Sequence, residues 1–425
     1  MNMIKQLLEE EKGLSAWRIT NKTTSSYELF FVHRNLETVR STDTSDAEVT
    51  VYVDHDGKKG DSSFIVTPAL TREGIKAKIA SAVHRARLVF NEPYALPDGE
   101  TLEAELPSNM KDAEPRALAR EIADAVFAAD TLSGGSINAC EIFLYQDTLR
   151  VMNSRGLDKR QTSWRVMIEA IPTFTENGQS VELYEDYRFT WFDPQKITLE
   201  IAAKMKEVKD RFSARKPATP LSVPILFRPQ EIRKLLGEVV YDFNYASVYS
   251  HTNLHKVGDD LQQDGDGDRL TVTMKARIEG SERSAYFDED GLSLKDTCVI
   301  QNGIAVSTFG SSRYGQYLGV DRPTGNLRCL QAAPGSMSEA DMKAAPYIEC
   351  VSLSGLQLDL YNDYIGGEIR LAYYYDGEKT LPITGITMSG SLKKALASMR
   401  FSNHMITEGA YEGPSLLCLQ GITVL

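Results

Sequence analysis

The sequence predicts an α+β fold in two domains: an N-terminal domain with a duplicated antiparallel meander-plus-helix unit, and a C-terminal, mostly antiparallel β-sheet domain. Three observations carry this expectation. Short alternating segments punctuated by turn residues run onward from Tyr27, and the same order of strands and helix returns from Glu141. A segment with four prolines, SARKPATPLSVPILFRP, then separates this half from a strand-rich remainder.

The opening MNMIKQLLEEEKG has the pattern of an amphipathic helix, with acidic residues where a secretory signal needs an uncharged apolar run. Four segments follow, SYELFFVHRN, LETVRST, AEVTVYVDHDG and KKGDSSFIV, and their alternation with turns such as Asp56-Gly57 predicts a meander. In LTREGIKAKIASAVHRARLVF, Ile75, Ile79, Val83 and Leu88 recur at helical spacing behind the capping residue Thr71. PRALAREIADAVFAA predicts a further helix between the two copies. ELFFVHRNLETVRS from Glu28 can be laid over EIFLYQDTLRVMNS from Glu141, with Leu36 on Leu149 and Ser41 on Ser154, which implies a duplication. The second copy continues through the strands SWRVMIEAIPTF and QSVELYEDYRFTWF into the helix ITLEIAAKMKEVKDRF.

The expected boundaries are therefore 1–213 for the first domain, 214–228 for a linker and 229–425 for the second domain. The second opens on RKLLGEVVYDF, a helix with Leu235, Leu236, Val239, Val240 and Phe243 on one apolar face. Strands dominate thereafter, with a hairpin at Gln301-Asn302-Gly303, because Asn-Gly tolerates the positive backbone angles of a tight turn. GSLKKALASMRF adds one more helix.

Composition narrows the function. A chain of 425 residues, 42% hydrophobic and 25% charged, is ordinary globular protein with length for two or three cores. Its net charge of -12 repels phosphate backbones and anionic membrane surfaces, so neither nucleic acid nor membrane is an expected partner. Five cysteines, an odd number without a C-x-x-C pair, argue against a disulfide framework and against a cysteine zinc site. With no window approaching eighteen apolar residues, the expected location is the cytoplasm.

Few constellations carry chemistry. SHTNLH sets His251 and His255 four apart, on one face if the segment is helical, which makes them weak candidates for a metal pair without a third ligand. DDLQQDGDGDR resembles a calcium loop, but counting from Asp264 puts Arg269 where the turn glycine belongs and Lys275 where the bidentate glutamate belongs; a solvated turn is expected. His33, His55, His84 and His404 stand isolated. Tyr364, Tyr373, Tyr374 and Tyr375 lie on an expected strand, where they are ordinary sheet residues or, for Tyr373 and Tyr375, walls of a groove for an extended peptide.

The order GKKG (57–60), LLGEVVYD (235–242), FDEDG (287–291), IQNGIAVSTF (300–309), RPTGNLR (322–328) and ITMSGSLKKAL (386–396), followed by SN (402–403) and a proline-led strand from Pro414, resembles the TldD/PmbA family. That family is described as zinc metalloproteases or, in older naming, modulators of DNA gyrase. The resemblance implies a two-domain fold, dimeric assembly and two kinds of subunit. The TldD-like kind holds zinc through a His-Glu-x-x-x-His helix and a later cysteine. The PmbA-like kind, also called TldE, lacks them and pairs with the first to trim unfolded peptides.

Laid over this pattern, Gly237 stands at the first histidine, Glu238 at the glutamate and Asp242 at the second histidine. Glycine offers no ligand, and one carboxylate beside Glu238 is too few donors for a tight zinc site. The glycine that precedes the family's second histidine is replaced by Tyr241, and 404–413 (HMITEGAYEG) contains no cysteine; Cys418 lies beyond it in a strand expected to be buried. The expectation is thus a metal-free, TldE-like subunit that binds no cofactor itself and assembles with a TldD-like partner or with itself around an unfolded peptide. Glu238 and Asp242 are then either remnants of the metal helix or an acidic patch in a peptide cleft. Two alternatives stay open: a metal-dependent peptidase whose site is rearranged around Glu238, Asp242, His251 or His255, and a non-enzymatic peptide-binding or assembly protein.

Overall fold

The computed structural model describes residues 1–425 and is mixed α+β, with nine helices and 22 strands in three sheets. In chain order the first half contains α1 (Asn2–Glu10), β1 (Ala16–Val32), β2 (Asn35–His55), β3 (Lys58–Val66), α2 (Arg72–Ala86), β4 (Thr101–Glu105), α3 (Pro115–Ala128), β5 (Gly135–Asn153), β6 (Asp158–Glu176), β7 (Gln179–Glu182), β8 (Glu185–Phe189) and α4 (Pro194–Ser213). Caps follow local chemistry: Thr71 accepts from Gly74 N, and Asp193 from Gln195 N and Lys196 N.

One eight-stranded sheet holds this half, in the order β3-β2-β1-β5-β6-β4 with β7 and β8 on β6. Helix, two long strands, a short edge and helix occur twice, and β1 meets β5 antiparallel at the centre. The meander differs from expectation in scale. LETVRST and AEVTVYVDHDG are one 21-residue strand, β2, and β1 already begins at Ala16. Positions 35–46 of β2, mostly polar but including the exposed Leu36 and Val39, show no alternation of burial because neither face is covered there, and main-chain pairing to β1 alone continues the strand. The residue overlay of Glu28 on Glu141 is out of structural register. It crosses the β1–β2 turn at His33 in the first copy, whereas β5 runs straight to Asn153 in the second.

The second half begins with β9 (Ile225–Phe227), at the end of the segment expected to be linker. All three residues are 0% exposed and join strands 347–359 and 417–419, so prolines flank a central strand rather than break it. α5 (Pro229–Tyr241) and α6 (Tyr245–Tyr249) follow, then a six-stranded and an eight-stranded sheet. Asn302 and Gly303 turn the hairpin 297–305 with φ of 49° and 77°. Three parallel pairings, among them β9 with 347–359, make the sheets mixed.

The largest core, 39 buried apolar residues, lies in this half and includes Leu235, Leu236, Val239, Val240 and Phe243; two cores of 21 and 17 lie under the N-terminal helices. Asp259 to Arg269 is turn structure with Asp259, Asp260, Gln263, Asp264, Asp266 and Arg269 exposed, but it is pinned from inside. Gln262, 2% exposed, bonds the backbone of Asp268, Leu270 and Leu396, which locks the loop beneath helix 392–398.

The FDEDG loop seats the two halves on each other. Phe287 is 1% exposed against Val151 and Leu157, Asp290 pairs with Arg18, and buried Lys159 donates to Ser293 Oγ at 2.7 Å. Gly291, at φ 84°, has no room for a side chain: a Cβ would lie 2.7 Å from Leu157 Cδ2. The GKKG turn makes a similar approach, since a Cβ on Gly60 would fall 1.7 Å from the Ala86 carbonyl at the end of α2.

Candidate functional site

α5 forms because Pro229 sits at its first position and its apolar face fits the largest core. Its other face carries the positions of interest. Gly237 is half-buried, and a Cβ there would meet nothing within 4 Å. Glu238 is exposed and has no hydrogen-bonded or ion-paired partner.

Asp242 caps the helix and turns inward, with its side chain 5% exposed. Its Oδ1 accepts from Leu254 N at 2.7 Å, and its Oδ2 from His255 N at 2.8 Å and lies 3.0 Å from His255 Nδ1. Burial pushes this carboxyl up, but the hydrogen bonds from His255 and Leu254 outweigh burial and hold it below the usual range.

The two histidines of SHTNLH do not share a helical face. α6 ends at Tyr249, and His251 takes a left-handed φ of 56° that breaks the helix, so only His255 reaches Asp242. In the 403–414 segment, His404 Nδ1 lies 2.9 Å from Glu339 Oε1, which also accepts from Ser415. Nowhere do three His, Cys, Asp or Glu side chains form a group that could hold a metal ion. The donor set does not fit zinc: one position lacks a side chain, and both oxygens of another are committed to a loop. All five cysteines are free, and burial pushes the Cys418 thiol up to about 11.

The tyrosines of strand 364–375 take separate roles. Tyr373 donates to Asp210 Oδ2 of α4 at 2.7 Å and so braces the two halves. Tyr375 packs at a tilt against Tyr347, with ring centroids 5.6 Å apart, and donates to Gly377 O at 2.8 Å within its own hairpin.

Sequence reasoning missed the ladder of charges beside Tyr373. Lys204 Nζ lies 2.7 Å from both Glu185 and Glu207, Arg228 bonds Glu207 at 2.6 Å and Glu349 at 2.9 Å, and Lys343 reaches Glu349 at 2.9 Å. Burial opposes the charge on Arg228, but Glu349 and Glu207 outweigh it and raise its pKa. Next to the ladder a cleft of about 460 Å³ opens between α4 and the C-terminal half, lined by Glu200, Glu339 and Glu408 among others. The only local signal was Arg228 itself, a charged residue between an apolar strand and Pro229.

Residues 220–424 match the family model of the PmbA/TldA metallopeptidase C-terminal domain. No curated protein matches the chain. Among solved structures the fold is similar to TldE from Thermococcus kodakarensis, with TM-score 0.80, 15% identity and 100% of both chains covered. It is also similar to a proposed modulator of DNA gyrase from Bacteroides thetaiotaomicron, with TM-score 0.81, 16% identity, and 99% of this chain and 97% of that one covered. A further such protein, from Thermotoga maritima, gives TM-score 0.79 and 15% identity over 100% of this chain and 99% of that one. Residues 220–424 thus belong to the PmbA/TldA metallopeptidase C-terminal domain family, and the whole chain shares its fold end to end with these structures.

Proposed function

We propose that this chain is a metal-free, TldE-like subunit that contributes fold, dimer interface and peptide-cleft walls to a peptidase whose zinc sits in a TldD-like partner. One observation carries the reading: at the position of the second histidine, Asp242 is buried and its oxygens are spent on Leu254 and His255. α5 is kept for its apolar face, which fills the largest core, while the opposite face has become a loop anchor. The chain's own residues would therefore bind and orient an extended substrate; no bond-breaking step is assigned to them.

The test is a peptidase assay on an unstructured protein such as casein, with the chain alone and mixed with a TldD-like subunit. The reading expects turnover only in the mixture, insensitive to Glu238→Ala in this chain. Chelator-sensitive turnover by the chain alone, lost in Glu238→Ala, would replace it with the rearranged-site alternative.

A further inference from the structure

A second cavity, of about 300 Å³, lies where the open face of the N-terminal sheet meets the C-terminal half, and Arg165, Arg188, Arg283 and Arg328 all line it. This concentration of guanidinium groups stands out in a chain of net charge -12. Three of them are fixed by protein carboxylates. Arg165 donates its Nε to Asp147 at 2.7 Å, Arg188 its Nε to Asp186 at 2.6 Å, and Arg328 donates to Glu289 at 2.5 Å. A guanidinium has five N–H donors, so most remain for a ligand while the side chains are held in place.

The acids around the wall balance much of this charge but leave guanidinium N–H donors over. Asp288 faces its own loop: Oδ1 accepts from Asp290 N and Leu292 N, both at 3.0 Å, and Oδ2 from Asn326 N at 3.1 Å. Glu282 sits between Arg188 and Arg283 at 3.5 and 3.6 Å and is shared by the two guanidinium groups, while Glu289 is held by Arg328. Leu149 and Leu294 add an apolar wall beside the arginines.

We propose that this cavity binds the terminal carboxylate of an extended peptide, with the apolar wall taking its last side chain; the inference rests on the peptide-cleft reading above. Planar bidentate recognition is what arginine offers a carboxylate. A path for the rest of the peptide leads away from Arg165, whose guanidinium lies 3.9 Å above the Tyr145 ring. Tyr145 stacks on Phe143 at 6.0 Å, Phe143 meets Phe30 edge-on at 5.6 Å, and Arg40 covers Phe30 at 5.2 Å. This row crosses β6, β5, β1 and β2.

The experiment measures binding of a fluorescein-labelled Gly-Ser peptide ending in leucine, as the free acid and as the C-terminal amide, with inorganic phosphate as competitor. The free acid is expected to bind about tenfold more tightly than the amide, as a charge-assisted pair implies. Arg188→Gln and Arg283→Gln should each remove most of that preference, while Arg120→Gln on the exposed face of α3 leaves it intact. Equal binding of acid and amide overturns the carboxylate site but not the peptide reading; binding of neither overturns both. Displacement by phosphate at concentrations matching the peptide's overturns it in favour of a free-anion site. Because the acid and amide are compared on the unaltered chain, the result stands even if a variant folds poorly.

Discussion

Asp242 grips His255 twice, through its backbone N–H at 2.8 Å and its ring Nδ1 at 3.0 Å, and so anchors the loop after α6 to the end of α5. Removing the carboxylate strands two backbone donors. Asp242→Ala is expected to cost about 2–3 kcal/mol. Hydrogen exchange should rise first at Leu254 and His255; a change confined to α5 would contradict the anchor role. The folded carboxyl lies below its unfolded value, so its stabilisation is present above about pH 4 and is lost as pH falls through the folded value.

Gly237 has open space where its Cβ would be, so nothing in the packing calls for glycine. Gly237→Ala should stabilise the chain by about 0.5–1 kcal/mol through helix propensity, read as a rise in the denaturant midpoint at unchanged slope. Destabilisation would mean that a close neighbour, such as a partner subunit, approaches this point.

Phe287 plugs the seam between the halves. Phe287→Ala should cost about 3–5 kcal/mol and split a single unfolding transition into two. A single, merely shifted transition would indicate that the charge ladder around Arg228 suffices to couple the halves.

Burial pushes two carboxyls upward: Glu231 to about 7, and Asp288, with help from Asp290, also to about 7. An acid whose folded pKa lies above its unfolded one contributes most below the unfolded value and loses that contribution as pH rises through the folded one. Stability should therefore increase as pH is lowered from about 8 to about 5, before the loss of groups such as Asp242 reverses the trend. Glu231→Gln should flatten that slope in a urea titration; an unchanged slope would remove Glu231 from the account.

Elements set by local chemistry were legible in the sequence: α2 behind Thr71, α5 from its apolar spacing, and the hairpin at Asn302 and Gly303. What escaped depends on distant partners. β2 continues through exposed polar residues because β1 pairs with it, and Ile225 to Phe227 become a strand because two strands far along the chain flank them. At the site, Gly237, Glu238 and Asp242 could be singled out in the sequence, but the bond from Asp242 to a histidine thirteen residues on, and that from Tyr373 to Asp210 across 163 residues, could not. Neither leaves a periodic trace.

Zinc content tests the central claim most directly. After purification, equilibration with a slight excess of zinc and removal of free metal, elemental analysis of the isolated chain should find far less than one zinc per molecule, because α5 presents no donor at Gly237 and none free at Asp242. One tightly held zinc per chain, lost on Asp242→Ala or Glu238→Ala, would contradict it.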